Sequence, residues 1–165
     1  MIEIEVLIES VVNSMDVKPK NFIHGTPTEI LNRLIEMGNS SERSKKFPLI
    51  ALIHDIDQNI DGNTSYDVKL NIVIANATEP NYSSHQRLTK NIIPILQPLY
   101  ESFLKSIDKS GYFVSRYTHP HTKVNRMYWG RSDNKQNKTT DYLDAIELQS
   151  LELKVKKNIC TNNLN

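Results

Sequence analysis

Cysteine is almost missing: the 165 residues hold one, Cys160, in a polar C-terminal stretch. A lone thiol excludes an internal disulfide framework and a thiolate metal cluster, and it fits a reducing compartment. Glycine is scarce too, and its five residues all stand singly, so no phosphate-cradling glycine loop is present. No serine sits in a Gly-x-Ser-x-Gly elbow. Charge of one sign is not in excess: 20 Lys and Arg face 19 Asp and Glu, a net charge of +1, so no global field draws the chain to nucleic acid or an anionic surface. No apolar run approaches the ~18 residues of a membrane span, and no membrane partner is expected. The opening "MIEIEVLIESVV" carries glutamates where a signal peptide has a basic region, from which residence in the cytoplasm is expected.

What is there has the pattern of one α+β domain over residues 1–156, followed by a polar tail at 157–165. A chain this long buries roughly two thirds of the surface it exposes when unfolded, enough for a core without staples. Ile4, Leu7, Ile8, Val11 and Val12 recur at helical spacing. After the short extended piece "NFIHG", Thr26 stands as an N-cap, Pro27 at the first helical position and Glu29 three residues after the cap; Gly38 ends that helix.

"FPLIALIHDI" reads as a buried strand and "YDVKLNIVIANAT" as an alternating one, paired as a hairpin. A long helix follows over about residues 84–108, with Pro94 and Pro98 predicting a kink or two helices meeting near Ile93. "GYFVSRY" and "VNRMYWG" suggest two further extended segments around "THPHTK". In "DAIELQSLELKV" the apolar phase shifts by one residue between Leu148 and Leu151, which predicts a β-bulge near Gln149 and Ser150. The expected architecture is an antiparallel β-sheet of about four strands with helices packed on one face.

Candidate chemistry is sparse. In "DIDQNIDGNTSYDV", Asp57, Asn59 and Asp61 fall at the first, third and fifth places of a calcium loop, with Gly62 at the sixth. The twelfth place, where a bidentate glutamate belongs, is Val68, and strands flank the loop where helices are needed, so the stretch reads as an acidic hairpin tip. His119 and His121 are a candidate metal pair, with His24, His54 or Asp133 as a third ligand, but the proline between them favours a loop. An enzyme reading would need a deep pocket lined by His54, Asp55 and Asp57; no catalytic residue and no cofactor are assigned.

Arg116, Lys123, Arg126, Arg131, Lys135 and Lys138 form one basic neighbourhood interleaved with Tyr117, Tyr128 and Trp129. Such a composition suits nucleic acid, yet a solvated loop beside packed aromatics suits the neutral total better. Met127, Tyr128 and Trp129 cannot all point inward, so at least one is expected at a partner subunit. Tyr128, Trp129, Arg126, Arg131, Asp57 and Asp61 are the candidates for a subunit interface or lumen.

The succession "FIHGTPTEI", "FPLIALIHD", "VKLNIVIANAT", "RLTKNIIPILQPLYESFLKSI" and "DYLDAIELQSLELKV" resembles small structural proteins encoded among tail genes of tailed bacteriophages and prophages of Bacteroidetes. The likeness is to the tail-terminator or head-tail neck-ring type, with crAss-like phages the first setting. It spans most of residues 20–156 and rests on packing patterns, so no functional residue is carried over. The resemblance implies a tail-terminator-like, non-enzymatic virion protein, assembled in the host cytoplasm as a homo-oligomeric ring at the head-tail junction or tail. Its partners would be neighbouring portal, neck or tail ring proteins, with genomic DNA passing through the lumen without sequence-specific binding. The alternative is a small cytoplasmic α+β ligand-binding or accessory domain.

Overall fold

A computed structural model describes residues 2–60, 64–114, 119–130 and 141–158. Its helices start and face where the local chemistry directs. Helix α1 (Ile4–Asn13) buries Ile4, Leu7, Ile8, Val11 and Val12 along one side. Helix α2 (Pro27–Gly38) opens on a complete capping box: Thr26 Oγ1 accepts the Glu29 N–H at 3.3 Å, and Glu29 Oε2 accepts the Thr26 N–H at 2.7 Å. Thr26→Ala is expected to lower stability by about 1 kcal/mol in urea unfolding.

The Thr26 N–H also holds the Glu29 carboxyl below its ordinary range. A carboxylate depressed in the folded state stabilises the fold above its unfolded pKa, and that contribution disappears as pH falls through the folded value. Glu29→Gln is therefore expected to flatten the acid limb of the stability profile.

Strands β1 (Asn21–Gly25), β2 (Leu49–Asn59), β3 (Ser65–Thr78), β4 (Thr122–Met127) and β5 (Tyr142–Lys156) form one sheet in the order β1-β2-β3-β5-β4. The β2–β3 hairpin is as expected, and β3–β5 and β5–β4 are also antiparallel. The expected sheet of about four antiparallel strands is corrected by β1, which lies parallel to β2 from Asn21 opposite Leu49 to Gly25 opposite Ile53. "NFIHG" is thus a fifth strand, and α2 lies within the crossover that a parallel pair requires.

Helices on one face is likewise corrected. On one face α1 and the later helices pack over Ile50, Leu52, Leu70, Ile72, Ile146 and Leu148; on the other, Ile30 and Leu34 of α2 cover Leu49, Ala51, Val73, Ala75 and Ala145. The cause is visible in β2, where Leu49, Ile50, Ala51 and Leu52 are all buried. A strand apolar on both sides needs cover on both.

The helical run after β3 begins with α3 (Ser84–Arg87), passes through a π-helix over Leu88–Leu96 and continues as α4 (Gln97–Lys109). Pro94 lies inside the π segment and Pro98 in the first turn of α4. Pro94 has no N–H for the carbonyl of Lys90, four residues back; the next donor along, Ile95, is five residues away, which is the π spacing. The prolines are accommodated by widening the helix over nine residues rather than by one break at Ile93.

The predicted bulge is present. Leu70 faces Leu151 while Ile72 faces Leu148, which leaves Gln149 and Ser150 opposite Asn71 alone. Ser150 takes a left-handed φ of 52°, and its N–H donates to Asn71 Oδ1 at 2.9 Å. Asn71→Ala is expected to cost about 1 kcal/mol and to speed hydrogen exchange at the Ser150 amide. A second register shift, between Ile53 and Asp57 of β2, sits beside the same stretch of β3.

Candidate functional site

The two histidines of "THPHT" do not converge on a common point. His121 Nδ1 donates to the His119 carbonyl at 2.6 Å, because a carbonyl can only accept. In neutral His121 this leaves Nε2 to accept from the Tyr100 hydroxyl at 2.8 Å. His119 is buried, with Nε2 2.7 Å from Asp108 Oδ1, while its Nδ1 has no partner among the described residues. Burial raises the Tyr100 hydroxyl pKa, with a smaller push from the charge on Glu101.

The proposed third ligands lie elsewhere. His24 and His54 sit on β1 and β2, at the far edge of the sheet from β4, with His24 Nδ1 2.9 Å from His54 Nε2. Their planes are only 22° apart and their centroids 5.1 Å apart, so the rings meet edge to edge across one shared hydrogen. Glu5 Oε1 of α1 lies 3.7 Å from His54 Nε2. Asp133 lies outside the described residues. No group of three or more metal-ligating side chains is gathered among the described residues.

The acidic tip is extended strand as far as it is described. Asp57 lies opposite Lys69 and Asn59 opposite Asp67; Asp61 lies outside the described residues. Asp57 and Asn59 line an open groove of about 470 Å3 with Gln58, Asp67, Lys69 and Glu152, and neither His54 nor Asp55 belongs to it. Charges alternate along this part of the sheet, where Lys69 meets Glu152 at 3.3 Å and Lys154 meets Asp67 at 4.0 Å.

Around β4 the aromatic residues separate. Trp129, expected at an interface or lumen, belongs to the chain's own second core cluster, with Leu31 of α2 packed against it. Tyr128 is 42% exposed, and its ring is capped by the Arg87 guanidinium at 4.0 Å from the centroid. Arg126 forms a two-point pair with Glu147 at 2.8 and 3.1 Å, which keeps its guanidinium protonated to still higher pH. Arg131 lies outside the described residues, as do Arg116, Tyr117, Lys135, Lys138 and Cys160.

A buried polar network escaped the sequence reading. Asp144 accepts from Arg87 Nη1 at 2.8 Å and from Asn91 Nδ2 at 3.0 Å, and Asn91 Oδ1 accepts from Asn76 Nδ2 at 2.8 Å. Arg87 also donates to the carbonyls of Tyr82 and Glu79, both at 3.2 Å. The network ties the start of the long helical run, the turn before it and β5 together. Its signal was in the sequence: Asp144 stands two residues before Ile146, in the inward phase of β5, where a carboxylate needs a partner. No helix among the described residues is long and apolar enough to cross a membrane.

No family model matches the chain, and no curated protein matches it.

Proposed function

We propose that the protein is a non-enzymatic structural subunit of a tailed-phage virion, tail-terminator-like in fold, that assembles as a homo-oligomeric ring at the head-tail junction or tail. The ring would stack on portal, neck or tail rings, and DNA would pass through it without being read. The observation that carries this reading is the β2–β3 arm. β2 is buried from Leu49 to Leu52, then runs out through exposed Asp55, Asp57, Gln58 and Asn59. Ile60 beyond it is 52% exposed. An acidic arm that carries a half-exposed isoleucine offers an adjacent ring both polar and apolar contact.

Co-expression with the products of neighbouring structural genes, followed by negative-stain electron microscopy, tests the reading. Annular particles are expected, and Ile60→Asp is expected to leave rings intact but reduce their stacking. A chain that stays monomeric beside those partners overturns it.

A second reading, a small ligand-binding domain, is favoured by one groove of about 270 Å3. It is lined by Leu31, Ile53, Val73 and Trp129, with Asn71 and Glu147 as polar members. Saturable binding of a small apolar probe there, by a monomer, would support that alternative.

A further inference from the structure

Sheet edges are aggregation hazards that folded proteins blunt with prolines, bulges or outward charges. Neither edge of this sheet carries a proline or a bulge, and the only charges on them are Lys123 and Arg126 of β4. β1 reads Asn-Phe-Ile-His-Gly and β4 reads Thr-Lys-Val-Asn-Arg-Met, without proline in either, and their register with the neighbouring strands is unbroken. Four of the polar side chains at these edges are engaged within the chain. Asn21 Nδ2 donates to Met37 Sδ at 3.3 Å, and His24 bonds His54. Lys123 Nζ reaches Gln97 Oε1 at 2.7 Å and Arg126 clasps Glu147. In a parallel ladder alternate residues bond to the neighbouring strand; Asn21 N–H donates to the Pro48 carbonyl, so Phe22 and His24 turn their own N–H and C=O outward.

Building on the ring reading, we infer that β1 of one subunit pairs antiparallel with β4 of the next copy, so that a single sheet runs around the ring. Strand directions require the antiparallel sense: β1 runs with β2, and three antiparallel steps separate β2 from β4. Two different surfaces meet, a heterologous contact, which closes into a ring when the rotation allows.

Face matching limits the register to steps of two residues. Phe22 and His24 share the α1 face with Lys123 and Asn125, while Ile23 shares the α2 face with Val124 and Arg126. Setting Ile23 opposite Val124 puts apolar against apolar, His24 opposite Lys123 and Asn21 opposite Arg126. A slip of two residues would set Ile23 against the guanidinium of Arg126. β4 carries Lys123 and Arg126 and no carboxylate, and on the other edge Glu5 of α1 lies 3.7 Å from His54 Nε2.

The test is a His24→Cys/Lys123→Cys chain in a Cys160→Ser background, oxidised as assembled particles. Directly paired strands bring Cα atoms about 4.5–5.5 Å apart, within disulfide reach. A non-reducing gel is expected to show a ladder ending at the closed ring, with most chains linked. Each single variant is expected to give only monomer. Rings without a ladder would overturn the edge pairing and leave the ring reading standing. Dimers from a single variant would replace it with a two-fold edge contact, and a chain that forms neither ring nor ladder would overturn both.

Discussion

Asp144→Ala is expected to destabilise the fold by about 3–5 kcal/mol, the usual loss when one member of a buried ion pair is removed. The carboxylate is fully buried between Arg87 and Asn91, and its removal leaves a guanidinium that is itself 1% exposed. The other Arg87 contacts, to the Glu79 and Tyr82 carbonyls and the Tyr128 ring, cannot neutralise that charge. Arg87→Ala should cost a similar amount for the converse reason. A double-mutant cycle in urea separates the pair from its surroundings: the two losses are expected to add to clearly more than the double variant shows, because the double leaves no buried charge unpaired. Strict additivity would mean that the two residues stabilise the fold independently.

Phe103→Ala is the second large effect, about 3–5 kcal/mol for an aromatic side chain removed from a packed core. Phe103 is fully buried on α4, in the cluster that joins α1, the helical run and the sheet. Phe103→Leu keeps most of the volume and should cost much less. Guanidinium unfolding reads both, and a loss below about 1 kcal/mol for the alanine variant would show that the α4 contact contributes little to the core.

Local signals were legible where the chain's own chemistry is decisive. Thr26, Pro27 and Glu29 marked the start of α2 without any tertiary information, and the phase change between Leu148 and Leu151 located the bulge. Pairing decisions were less legible. β1 has five residues, too few for alternation to declare a strand, and its parallel sense depends on where the chain travels between Gly25 and Leu49. The second helical layer had a signal that went unread, since a strand buried on both faces implies cover on both. In the candidate site, the spacing of His119 and His121 said nothing of the Asp108 and Tyr100 contacts that engage them, because both partners come from α4. Trp129 shows the same limit: three consecutive large side chains cannot share one direction, but which of them turns inward depends on the core cluster that α2 and the sheet build around Trp129.

In the proposed role this chain is a repeating unit around an axis. Symmetry-averaged cryo-electron microscopy of the intact particle tests it most directly. Repeated copies of the five-stranded subunit forming a closed ring at the head-tail junction or tail, with a DNA-wide lumen, are expected. Particles of full composition with no density for this chain on the axis would contradict it.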